Sequence, residues 1–259
     1  MSTVAVTTPA GRLRALARAE MTLLGRSKGT LFAALFVPML IPLSMQQTAK
    51  DMDLKGTGLD VGSVVLPSAL GFSLLFAVYS ALTGVYVARR EELVLKRLRT
   101  GELRDPEILA GAALPSVVIA IVQCVVLAVG CAVLIDAGAP SAPHLVVLGV
   151  VAGLVMFAAL AAVTGSFARS TESAQVMSMP LIFVSMIGSG LFVPLEVMPD
   201  KLATVCELLP LSPVIELIRG GWAGHLSAAD ALGAVATAVA WTLLSVFAVR
   251  RWFRWEPRH

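Results

Sequence analysis

The sequence predicts an all-α membrane protein, a single domain over residues 1–259 built on six transmembrane helices. Three observations predict it. First, the chain is 57% hydrophobic and 14% charged, with a mean hydropathy of +0.85. Second, its charges are clustered, leaving six runs without Asp, Glu, Lys or Arg: Gly29–Ala49, Val61–Ala88, Ile108–Ile135, Ala137–Ala168, Ser173–Leu195 and Ala231–Val249. Each can hold a helix across a hydrocarbon core of about 30 Å, which takes roughly 20 residues. A soluble core seldom contains charge-free runs this long. Third, Lys and Arg alternate from loop to loop. The N-terminal segment (Arg12, Arg14, Arg18, Arg26, Lys28), the second loop (Arg89, Arg90, Lys96, Arg97, Arg99, Arg104), the fourth loop (Arg169) and the tail (Arg250, Arg251, Arg254, Arg258) hold sixteen of the 20. Lys50, Lys55, Lys201 and Arg219 make up the rest. The positive-inside rule places the richer set, and both termini, in the cytoplasm of a multi-pass plasma-membrane protein. Each basic cluster abuts a span, so orientation explains it better than nucleic-acid binding does.

The elements follow in order. Residues 10–28 read as an amphipathic interface helix, with Leu13, Leu16, Ala17, Leu23 and Leu24 on one side and Arg12, Arg14 and Arg18 toward headgroups. Glu20 interrupts the apolar stripe. The first charge-free run exceeds the apolar core of a signal peptide and reads as an uncleaved first span. Pro38 and Pro42 predict a kink within it.

The second span runs into RREELVLKRLRTGELR, residues 89–104, where nine of sixteen residues are charged. A cytoplasmic helix is predicted there. Glu92 and Lys96 form an i,i+4 pair in the favourable order, and Val94, Leu95 and Leu98 make a short apolar face. Gly101 suits a helix stop, and Asp105-Pro106 suits the start of the third span. A loop that only set topology would need neither helical pattern nor both signs of charge. The segment therefore reads as a docking helix for another protein.

In the third span Cys124 and Cys131 are separated by about 10 Å of helix rise, too far for a disulfide. The fourth span carries Gly149-x-x-x-Gly153, a spacing that admits close helix approach. Residues 194–223 hold Pro194, Pro199, Pro210 and Pro213 around two short apolar segments, Leu202–Leu209 and Val214–Ile218. Neither can span, so they read as re-entrant or interfacial helices on the outer side. Trp252 and Trp255 after the sixth span suit an interfacial belt.

Several chemistries lack their signatures. No G-x-x-x-x-G-K-[ST] and no H-E-x-x-H occurs, so no nucleotide, metal or other cofactor is expected on this chain. Ser189 lies in Gly-Ser-Gly, but His144, His225 and His259 all fall outside the span centres, leaving an intramembrane hydrolase without an evident base. The spans hold no ionisable residue, which argues against an ion-coupled carrier.

The layout resembles the membrane subunit of type-2 ATP-binding-cassette (ABC) exporters, the group that includes the daunorubicin/doxorubicin-resistance permeases. The segments REELVLKRLRTGELRDPEILAG and GLFVPLEVMPDKLATVCELLPLSPVIELIRG carry the resemblance. Where the family often has Gly-Thr, this chain has Leu93-Val94. The resemblance implies an exporter moving a hydrophobic drug-like or lipid-linked molecule, homo- or heterodimerisation with a second permease subunit, and two copies of a separate ABC ATPase that hold ATP and Mg. It also implies that Glu91, Glu92, Lys96, Arg97 and Arg99 form the ATPase-docking contact. Two stripes could serve a substrate path: Phe72, Phe76, Tyr79, Thr83 and Tyr86 on the second span, and Met179, Phe183, Met186 and Gly190 on the fifth. Plain helix packing is the favoured explanation of such stripes. An ATPase-independent carrier or channel and an intramembrane enzyme are the alternative functions.

Overall fold

The computed structural model describes residues 8–26, 28, 32, 61–101, 103–134, 138–191 and 198–256. The first predicted span apart from residue 32, its two prolines, the first loop and residues 192–197 lie outside the described residues. Among the described residues every regular element is helical. In chain order these are α1 (Pro9–Arg26), α2 (Val61–Ser73), a π-helical segment (Leu74–Ser80), α3 (Ala81–Glu91), α4 (Val94–Arg99), α5 (Asp105–Leu134), α6 (Pro143–Phe167), α7 (Thr171–Gly188), α8 (Asp200–Glu207), α9 (Ser212–Ala223) and α10 (Ala228–Trp252).

Four helices are long and apolar enough to cross a membrane: Val65–Glu91, Asp105–Val133, Pro143–Phe167 and Ala228–Trp252. They coincide with the predicted second, third, fourth and sixth spans. The first of these is continuous through α2, the π-helical segment and α3. The π-helical stretch is a feature that sequence periodicity did not announce. The fifth predicted span corresponds to α7, which has 18 residues and begins with the polar stretch Thr171-Glu172-Ser173. It is shorter and less apolar than the other four.

The predicted second span, Val65–Glu91, is the centre of the bundle. Leu66, Leu70, Leu74, Leu75, Val78, Tyr79, Leu82 and Val87 are all buried. Helix α5 packs on one side of it and α6 on another. Between α2 and α5 the Ser73 hydroxyl donates to Gln123 Oε1 at 2.6 Å, so the buried amide is partnered. Polar side chains at such a contact are a usual glue between helices in lipid.

The predicted Gly149-x-x-x-Gly153 motif is used, and its partners are the short helix α9 and the π-helical segment. A Cβ on Gly149 would lie 3.0 Å from Leu217 Cβ, and one on Gly153 would lie 2.8 Å from Leu74 Cδ1. Gly221 on α9 reciprocates, since its Cβ would lie 2.8 Å from the backbone nitrogen of Val146. The Ala142 N–H donates to the Gly221 carbonyl at 2.8 Å, stitching the start of α6 to the end of α9. Of the two short apolar segments before the last span, the first overlaps α8 and the second falls within α9, and α9 is buried along Val214, Ile215, Leu217 and Ile218.

Helix α1 lies against α5. Arg12 Nη2 and Glu107 Oε1 are 3.0 Å apart, and Leu16 fills the space left by Gly111. Glu20, the residue that broke the apolar stripe, is buried and paired with Arg89. Away from these contacts the helices present apolar side chains outward, among them Val122, Val125, Val129 and Val133 on α5 and Leu232, Leu243 and Phe247 on α10. A soluble monomer seldom exposes so much apolar surface.

Candidate functional site

The charged segment is not one helix. Residues 89–104 were expected as a single cytoplasmic helix with a Glu92–Lys96 pair. Instead α3 ends at Glu91, the chain turns through Glu92 and Leu93, and α4 restarts at Val94. The break is at Leu93, whose φ of 59° and ψ of 14° are left-handed. An L-residue there interrupts the right-handed run. Glu92 thus leaves the helical register of Lys96, and Lys96 Nζ lies 2.8 Å from Glu256 Oε1 in the C-terminal tail. The apolar face is as expected: Leu95 is buried, and Val94 and Leu98 are half-buried. Helix α4 ends at Arg99, with Thr100 capping it just before the predicted Gly101 stop.

The five predicted docking residues separate into two groups. Glu91, Glu92 and Arg97 are exposed and take part in no ion pair among the described residues. Lys96 and Arg99 are exposed as well, but each holds an ion pair within the protein. Arg99 Nε donates to Asp105 Oδ1 at 3.1 Å, and its guanidinium carbon stands 5.0 Å from the centroid of the Trp255 ring. Hydrogen bonding to Lys96, with its charge, holds the Glu256 carboxyl below its ordinary value.

Two neighbours in the same charged run were missed by sequence reading. Arg89 pairs with Glu20. Arg90 is buried, and its two terminal nitrogens donate to the Gly165 and Ala168 carbonyls at the end of α6. The interrupted stripe on α1 was the one sequence signal for the first. Nothing local signals the second, because the partner carbonyls are 75 and 78 residues away.

The two candidate stripes sit differently. On the second span Phe72, Tyr79, Thr83 and Tyr86 are buried within the subunit, and Phe76 is half-buried. Phe72 and Phe76 stack with centroids 4.3 Å apart. The Tyr79 hydroxyl lies 2.9 Å from Thr164 Oγ1, Thr83 donates to the Tyr79 carbonyl, and the Tyr86 hydroxyl donates to the Leu109 carbonyl at 3.1 Å. On α7, Met179 and Phe183 point outward and are exposed, while Met186 is half-buried.

At the far end of α10 a cavity of about 460 Å³ is bordered by Ser189, Glu207, Glu216, Arg219, His225 and Asp230. Arg219 Nη2 donates to the Gly190 carbonyl at 2.8 Å, receiving the end of α7. Ser189 and His225 share this cavity, but the Ser189 hydroxyl makes no hydrogen bond among the described residues. A nucleophile and its base need contact at hydrogen-bond distance, and among the described residues this pair has none. Among the described residues no cluster of three His, Cys, Asp or Glu side chains could hold a metal ion.

Comparison with known proteins gives one family: that described as ABC-2 type transporter matches residues 11–222. No curated protein matches the chain.

Proposed function

The chain belongs to the ABC-2 type transporter family and is a multi-pass membrane transport component, and from that premise we propose that it is the permease of an exporter of the daunorubicin/doxorubicin-resistance kind, driven by a separate ABC ATPase. Six spans cross the bilayer in this reading. They are the four long apolar helices, α7, and the first charge-free run, Gly29–Ala49. An even count leaves both termini in the cytoplasm, in keeping with the distribution of Lys and Arg. Helix α1 then lies at the inner interface, and α8 and α9 form the outer re-entrant segment.

The observation that carries the coupling is the exposed charge on Glu91, Glu92 and Arg97 around a helix whose other side is fastened to the bundle. Mixed charges on a short, supported helix suit a protein partner with complementary charges. Two ATPase copies would engage two permease subunits. Met179 and Phe183 are exposed, which supports the reading that they line a path for a hydrophobic drug-like or lipid-linked molecule between those subunits. The buried stripe on the second span would instead transmit motion as packed core. ATP binding then shifts the paired spans between inward-open and outward-open states, a coupling between two sites.

The test is charge reversal at Glu92 or Arg97 in the complex reconstituted with its ATPase. The expected result is normal insertion, with ATP hydrolysis separated from export. Unchanged export per ATP in both variants would remove the docking role.

A further inference from the structure

The tail that follows the last span folds back onto α4. Phe253 caps α10 and meets Trp255 edge-on, with centroids 5.0 Å apart. Phe253 also meets the Tyr86 ring at 6.5 Å. Arg99 stands over Trp255 at 5.0 Å, and Glu256 takes Lys96 at 2.8 Å. A run of ring and charge contacts therefore leads from the second span, through the end of the sixth predicted span, to α4. These tail residues lie beyond the stretch 11–222 that matches the family.

We propose that Trp255 and Glu256 are positioning residues, a strap through which α10 moves together with α4. The proposal rests on α4 being the part that receives the ATPase. Along the chain, α4 follows α3 through the two-residue turn at Glu92 and Leu93. Arg99 ties it to the start of α5 through Asp105. The strap adds α10, whose last helical residue, Trp252, is four positions from Glu256. So short a link leaves little slack. A push on α4 is thus delivered to three spans at once, and α10 responds without touching the ATPase.

The strap is built to release. It touches α4 through side-chain tips, and a cavity of about 580 Å³ lies among Lys96, Arg99, Thr100, Phe253, Arg254 and Trp255. Both partners of the Lys96–Glu256 pair are more than half exposed, so the pair is weak and easily exchanged for water. Glu91, Glu92 and Arg97 remain free to meet a partner while the strap is closed.

The experiment uses the full chain with its ATPase in nanodiscs and two readouts: hydrogen exchange of the α4 amides, and substrate exported per ATP hydrolysed. Glu256→Lys should speed exchange in α4 roughly two- to fivefold, the factor an exposed ion pair carries, and should lower the export-to-ATP ratio. Trp255→Ala should do the same. The charge swap Lys96→Glu with Glu256→Lys should restore the slow α4 exchange, which simple loss of folding could not do; export per ATP is read only in the variants that leave Lys96 in place. Glu256→Gln, which alters no proposed ATPase contact, should match Glu256→Lys in direction. Unchanged exchange in the single variants, or a swap that fails to restore it, overturns the strap. Exchange is read on the chain itself, so failure of the strap is distinguishable from failure of ATP-driven export.

Discussion

Arg90, near the end of α3, donates through Nη1 to the carbonyl oxygen of Gly165 on α6 at 2.9 Å. Its Nη2 reaches the Ala168 carbonyl just beyond the same helix. The last carbonyls of a helix have no intrahelical donor and carry the negative end of its dipole. A guanidinium that is 1% exposed supplies donors and charge together. Arg90→Ala is therefore expected to destabilise the fold by about 3 kcal/mol, as charged hydrogen bonds to buried groups are lost. Arg90→Lys should recover less than half of this, because an ammonium is a point charge and cannot fork across two carbonyls. Unfolding in detergent measures both, and a parental midpoint for Arg90→Ala would contradict the role.

The close approach of α6 and α9 gives a graded set. Gly221→Ala should be the most harmful, since its Cβ meets backbone at Val146, which cannot step aside. Gly149→Ala, against the Leu217 Cβ and Ile218 Cγ1 at 3.0 Å, should cost about 1–3 kcal/mol. Gly130→Ala meets nothing within 4 Å and should stabilise α5 by roughly 0.5–1 kcal/mol. Thermal unfolding of the three variants should preserve this order.

Leu93 holds the only positive φ among the described non-glycine residues. Its side chain is 39% exposed, so little packing is lost when it is removed. The left-handed conformation costs an L-residue about 1–2 kcal/mol. Leu93→Gly should raise stability by about 1 kcal/mol, and Leu93→Val should lower it. The same measurements check the two-piece geometry of the charged segment, because a continuous helix through residue 93 predicts the opposite sign for glycine.

Tyr79 separates packing from transport. Tyr79→Ala should cost about 3–5 kcal/mol as a large buried side chain, and would obscure any effect on export. Tyr79→Phe removes only the contact with Thr164 and should cost about 1 kcal/mol. Export per folded molecule should stay at the parental level in Tyr79→Phe. An altered substrate preference there would move this residue from core to substrate path.

The strap has a defined pH response. Lys96 lowers the Glu256 carboxyl below its ordinary value of 4.5. A depressed carboxylate contributes fully above that ordinary value, and its contribution fades as pH falls through the lower folded value. Protection of the α4 amides, corrected for intrinsic exchange, should be flat from about pH 5 to 8 and decline only in stronger acid. High salt should weaken it at every pH, as screening does for exposed pairs.

How much of this was legible beforehand depends on the range of the physics involved. The apolar runs that became α5, α6 and α10 are local properties, as are the turn signals at Asp105-Pro106 and around α8 and α9. Hydropathy summed over some 20 residues decides whether a helix can lie in a bilayer, whatever it touches. The grouping of Lys and Arg at alternate span ends is equally local. Composition and pattern alone therefore sufficed for a helical membrane chain with a charged segment after the helix that ends at Glu91.

Which charges are spent inside the molecule and which remain available was decided only by the tertiary structure. Glu20 looked like a flaw in α1 until Arg89, 69 residues on, was brought to it. Lys96 took Glu256, 160 positions away in the chain, in place of its near neighbour Glu92. Arg90 disappeared beneath α6, while Glu91, Glu92 and Arg97 stayed outside. An ion pair or a buried guanidinium depends on distances of about 3 Å between segments remote in sequence. Local pattern carries no record of those distances, and packing supplies them.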